Sequence, residues 1–236
     1  MMQIRTDGSS LDLYLARPAI PDPAPGVVVL HDIAGLGSDV RAQADWLADQ
    51  GFLAAAPDLF DGGTLLRCLR STMRDYTTRR GRTFDLIEAT RTWLSGHPDC
   101  TGPVAVLGFC IGGDFALLLA PSGGYQAAAI NYARVPTDAD TLLAGSCPVV
   151  GSYGTRDRTL RGAAHRLEHA LTDAGVPHDV TEYPDAGHAF LNQHPPGELP
   201  LLLAPLALLN RAGYHEPAAR DARARSITFL HTHLQP

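Results

Sequence analysis

The chain has 236 residues, 45% of them hydrophobic, and a formal net charge of −6 at pH 7. That suits one globular domain with a sizeable core. Nineteen basic against 25 acidic residues exclude the broadly basic surface that attracts nucleic acid or acidic membranes, and leave only local arginine clusters for small anions. The N-terminus, MMQIRTDGSSLDLYLARP, has no basic start followed by an apolar stretch and does not read as a secretory signal. The run LPLLLAPLALL (199–209) is too short to cross a bilayer and contains Pro205. A soluble, cytoplasmic protein is expected; its oligomeric state is unknown. Cys68, Cys100, Cys110 and Cys147 have no CxxC spacing, so neither a disulfide framework nor a metal site is expected.

In chain order, 11–16 alternates and predicts a strand, and GVVVLH (26–31) predicts one buried on both faces of a parallel sheet. Ser38 is placed to cap a helix over 39–50 that Gly51 ends. A strand follows at 52–57. The arginine-rich 58–80 has no clear period. A helix is predicted over 82–95, a strand over 103–108, a helix over 114–120, and strands over 126–132 and 148–153. A helix over 159–174 stops at Gly175, a strand covers 178–183, and a last helix covers 217–233. Alternating strands and helices predict a single α/β domain, a largely parallel sheet with helices on both faces. Ligands in such folds sit at the carboxyl ends of the strands. The segment 195–213 is apolar but broken by proline, and reads either as an extra packed helix or as a lid or pocket wall.

Gly108-Phe109-Cys110-Ile111-Gly112 stands between a predicted strand and a predicted helix. The form is that of a nucleophile elbow, in which a strained turn lifts one side chain above the sheet and small residues on either side let backbones approach. The helix N-terminus favours a thiolate there, and the Ile111 N–H becomes an oxyanion donor. A nucleophile needs a base, and the base an orienting group. In the chain order of this motif, the acid and then the histidine follow in loops after later strands. Asp157 in GTRD and His188 in AGHAF hold those places, ahead of Asp138, Asp140, Asp185, His165, His169 and His178. The early loop HDIAGLGS supplies the second oxyanion donor from Ile33. It also turns His31 and Asp32 toward the nucleophile, where a carboxylate disfavours the thiolate. Tyr132, after a predicted strand, is a pocket candidate.

At these residues the chain resembles the dienelactone hydrolase family, a cysteine-nucleophile branch of the α/β-hydrolases. HDIAG, QGFLAAAPDLF (50–60), GFCIGG, GTRD and AGHAF carry the likeness, over residues 26 to 192. The resemblance implies a Cys110–His188–Asp157 triad, a thioester acyl-enzyme, and a small lactone or ester substrate that carries a carboxylate. It implies no cofactor, and neither nucleic acid nor membrane as partner. Asp32 replaces the family's usual glutamate. Asn192 stands where the best-known members carry a substrate-gripping arginine. A second family arginine is matched by Arg67 or Arg70. The insertion after His194 departs from the family's short connection. Three alternatives stand beside this reading. A general carboxylesterase or thioesterase would prefer neutral acyl substrates. A redox sensor or ligand-binding protein would not need His188 and Asp157. An amidotransferase-like enzyme would share the elbow but not the late acid and histidine loops.

Overall fold

The computed structural model describes residues 1–6, 9–20, 22–60, 65–198 and 204–234. Eight strands form one sheet: β1 (Met2–Thr6), β2 (Ser9–Ala16), β3 (Ala24–Leu30), β4 (Leu53–Pro57), β5 (Cys100–Phe109), β6 (Ala127–Asn131), β7 (Val149–Gly154) and β8 (His178–Tyr183). Their spatial order is β1-β2-β4-β3-β5-β6-β7-β8. The β1–β2 and β2–β4 pairs are antiparallel, and every other pair is parallel. The fully apolar runs become the central strands. Val27–Leu30, Ala105–Leu107 and Ala127–Ile130 are at most 1% exposed, because helices cover the sheet on both faces.

The helices are α1 (Ser38–Asp49), α2 (Leu65–Thr78), α3 (Arg82–Ser95), α4 (Ile111–Leu119), α5 (Ala139–Leu142), α6 (Ala163–Asp173), α7 (Ala204–Leu209) and α8 (Glu216–His233). The arginine-rich segment without a clear period is α2, whose polar face is solvated. Ser38 is not the cap of α1. It is the first helical residue, Gly37 precedes it, and both the N–H and the hydroxyl of Ser38 donate to Glu198 Oε1 (2.6 and 2.8 Å). The helix is thus capped by a carboxylate 160 residues downstream. The helix predicted over 159–174 begins only at Ala163, after a 3-10 turn at Arg158–Leu160. In the insertion, 199–203 lies outside the described residues, and 204–209 is the short, largely exposed α7. No helix among the described residues is long and apolar enough to cross a membrane.

Candidate active site

The loops after β3, β5, β7 and β8 leave the sheet at the carboxyl ends of parallel strands, and the candidate residues gather there. Cys110 follows β5 with φ 53° and ψ −117°. An L-residue is rarely found there, and the surroundings hold it. Its N–H donates to the Asn131 carbonyl (3.1 Å), and its own carbonyl accepts from the Asp114 N–H (3.0 Å). A Cβ on Gly108 would run into the Gly112 carbonyl, and a Cβ on Gly112 into the carbonyls of Leu30 and His31. Only glycine lets strand, helix and early loop close on the turn. Cys110 is half-buried, immediately before α4.

Asp157 is fully buried. Its Oδ1 accepts from the Thr159 N–H (2.9 Å) and hydroxyl (2.6 Å), which leaves Oδ2 for His188 Nδ1 at 2.6 Å. With Nδ1 directed at the carboxylate, Nε2 is the ring nitrogen left over, and Cys110 is among the groups that act on the imidazole. Burial works against a charged His188, but Cys110 and Asp157 outweigh it and lift the imidazole to about 10. Burial likewise opposes ionised Asp157, yet His188 and Thr159 hold it below the ordinary carboxylate value.

Two sets of backbone contacts fix this pair. The Asp157 loop is zipped to the His188 loop by Thr155 N–H to Tyr183 O and Arg156 N–H to Ala186 O, both 3.0 Å. The insertion then straps the histidine from the other side. The His188 N–H donates to Asn210 O, and the Gly213 N–H donates to His188 O, both at 3.0 Å. At 204–213 the insertion therefore lies against the backbone of the candidate base.

Asp32 has a different partner from the one expected. Its Oδ1 accepts the Ala34 N–H (2.8 Å), and its Oδ2 pairs with His194 Nε2 at 2.8 Å. His194 Nδ1 pairs in turn with Glu198 Oε2 at 2.9 Å. Burial opposes protonation of His194, but the two carboxylates prevail and raise it to about 9. His31 does not face the nucleophile with a free nitrogen. Its Nδ1 meets Asp32 O (2.7 Å) and its Nε2 accepts the Leu59 N–H (3.1 Å), so the buried ring is neutral and ties two loops together. In the same loop Gly35 N–H returns to Asp32 O (3.2 Å), while the Ile33 N–H donates to no described group; nor does that of Ile111, at the start of α4.

Tyr132 (φ 41°) is buried, with its ring 5.1 Å from that of His188. Its hydroxyl donates to Asn192 Oδ1, and Asn192 Nδ2 donates to Asp39. Both ends of the Asn192 amide are therefore taken up inside the protein. Arg67 and Arg70 lie exposed on α2, and Arg67 lines a cavity of about 280 Å³ with Phe60 and Thr72. A cation that sequence reasoning missed is Arg134, in the loop after β6. It binds Asp114 through Nε (2.9 Å) and Nη2 (2.5 Å), lies 4.2 Å over the Tyr76 ring, and is 41% exposed. Asp114 is one turn above Cys110, whose carbonyl accepts its N–H. The other thiols have no such setting: Cys68 is tied to Phe60 O, and burial pushes Cys147 up to about 12. Among the described residues no group of three or more His, Cys, Asp or Glu side chains is arranged to hold a metal ion.

The mostly parallel eight-stranded sheet, clad in helices and with an elbow after its fifth strand in space, defines an α/β-hydrolase fold. The model of the dienelactone hydrolase family matches residues 11–234, and the chain belongs to that family of hydrolases. It is 27% identical to the carboxymethylenebutenolidase of Pseudomonas putida, over 95% of this chain and 92% of that protein. It is 28% identical to the enzyme of the same name from Rhodococcus opacus, over 99% and 91%. A solved structure from Klebsiella pneumoniae superposes with a TM-score of 0.76 at 25% identity, covering 97% of this chain and 96% of that one.

Proposed function

We propose that the protein hydrolyses a small lactone or ester through a Cys110–His188–Asp157 triad. The observation that carries this is the pairing of Asp157 Oδ2 with His188 Nδ1 at 2.6 Å beside an elbow that holds Cys110 at φ 53°. His188 takes the thiol proton. The thiolate attacks the carbonyl carbon, and the N–H groups of Ile33 and Ile111 receive the oxyanion. Collapse expels the alkoxide or enolate, which takes the proton from His188 Nε2, and leaves a thioester on Cys110. Water, giving its proton to His188, then attacks the thioester, and the thiolate departs with the acid released. Asp157 keeps Nε2 directed at the sulfur throughout.

The substrate reading is a carboxylated lactone or ester. Asn192 is not free to grip a carboxylate, and we assign that contact to Arg134, part-exposed at the carboxyl end of β6 and pre-oriented by Asp114. The relatives named carboxymethylenebutenolidase support a lactone substrate.

The test compares wild type with Cys110→Ala on a dienelactone, p-nitrophenyl acetate and a longer neutral acyl ester. The expected result is preference for the carboxylated lactone and a loss of about 10⁴-fold or more in Cys110→Ala. Preference for neutral esters with the variant still inactive would keep the triad and make the enzyme a carboxylesterase. A fully active Cys110→Ala would refute the mechanism.

A further inference from the structure

We propose that His194 is a positioning residue for Cys110: by taking the Asp32 carboxylate as its ion-pair partner, it removes a negative charge that would otherwise oppose the thiolate. This rests on the reading of Cys110 as the nucleophile. The elbow packs directly on the start of the Asp32 loop, since Gly112 abuts the carbonyls of Leu30 and His31. The two are also joined through Tyr132: the Cys110 N–H donates to the carbonyl of the preceding Asn131 (3.1 Å), and the Tyr132 hydroxyl donates to Asn192, two residues before His194. An uncompensated carboxylate at that place would raise the cost of a thiolate. It is compensated, because His194 Nε2 lies 2.8 Å from Asp32 Oδ2, with the two side chains 9% and 7% exposed.

The clamp is built on both sides. Glu198 Oε2 holds His194 Nδ1 at 2.9 Å, and its other oxygen is anchored on Ser38 at the start of α1. Asp39 of α1 also faces the imidazole and adds negative potential, while spending its own oxygens on Asn192 and the Gln193 N–H (2.6 Å). His194 is thus an imidazolium among Asp32, Glu198 and Asp39, and its elevation to about 9 agrees with that. Around the elbow His188 is paired with Asp157 (2.6 Å) and Arg134 with Asp114 (2.9 Å through Nε), so each cation has its own carboxylate, and Asp32 is the carboxylate that His194 answers.

The experiment is the pH dependence of Cys110 alkylation by iodoacetamide, with the modified residue identified by mass spectrometry. In His194→Gln the midpoint is expected to rise by about one pH unit. Asp32→Asn alone is expected to lower it by about one unit, because it leaves the His194 imidazolium without that counter-charge. The double variant is expected to return to the wild-type midpoint. An unmoved midpoint in His194→Gln overturns the proposal, as does a double variant that keeps the full shift. If His194→Gln does not fold, His194→Asn carries the same prediction, and an unmoved midpoint there overturns the proposal. Failure of the triad itself looks different, since Cys110→Ala would then retain turnover whatever the alkylation profile.

Discussion

Cys110, Tyr132 and Ala189 have φ of 53°, 41° and 55°, and they are the proposed nucleophile, the ring beside the proposed base and the residue after that base. Strain of this kind costs on the order of 1–3 kcal/mol per residue and persists where neighbours over-determine it. The elbow glycines supply part of that constraint. Gly112→Ala forces a methyl group onto two backbone carbonyls that cannot yield. A loss of about 3 kcal/mol is expected in urea unfolding. Activity is expected to fall further than stability, because the sulfur shifts with the turn. Arg134 makes a separable claim. Arg134→Lys keeps the charge opposite Asp114 but loses the two-pronged grip on its carboxylate. KM for a carboxylated ester is expected to rise about tenfold, with little change for p-nitrophenyl acetate. Equal changes for both substrates would make Arg134 purely structural.

At the scale of elements, what positions the proposed triad is a set of loops laced to one another. The segment after α7 carries both strap contacts to His188, and Gly187 touches the Arg211 carbonyl so closely that a side chain there would displace the strap. Gly187→Ala is therefore expected to lower kcat by about 10²-fold while leaving KM and the thiol alkylation midpoint near wild type. A proportional loss of folded protein by circular dichroism, with normal kcat in what remains, would contradict this. The strap also marks where sequence reasoning stops. Apolar runs such as GVVVLH and PVAVLG announce buried parallel strands, and the G-x-C-x-G spacing announces the elbow, because these are local patterns. Asp157 and His188 are legible through chain order and loop position. β1 is a short edge strand with little apolar alternation, and α2 hides its period under arginines. The Asp32–His194 pair and the spent amide of Asn192 depend on the path of a loop returning from the far end of the chain, which no local pattern encodes.

For the whole molecule, the histidines set the pH window. His188 and His194 are both raised above the ordinary imidazole value of 6.5, to about 10 and about 9. Each raised group contributes stability that is complete below the ordinary value and is lost as pH rises through its folded value. Asp157 and Glu198 are depressed, so their contribution is present above the ordinary carboxylate value and is lost as the pH falls through the folded value. A plateau in Tm is expected on the acid side of 6.5, followed by a fall toward about pH 10 that is shallower up to about pH 9 in His194→Gln. An alkaline limb identical in that variant would show that the clamp carries no folding energy. The nineteen basic residues are all arginine, so the chain offers an acylating substrate no lysine amine. An acyl adduct trapped by rapid acid quench is therefore expected on Cys110.

The contact between Asp32 and His194 joins residues 162 positions apart, and this bears on the protein's making as well as its action. A ribosome releases the first loop and the cysteine elbow long before residue 194 emerges. Until then Asp32 has no His194 partner, and the proposed base His188 is not yet synthesised or strapped. Reactivity thus arrives with the last third of the chain. On the proposed mechanism, a nascent or truncated product carries the cysteine but not the histidine and the ion pair that serve it.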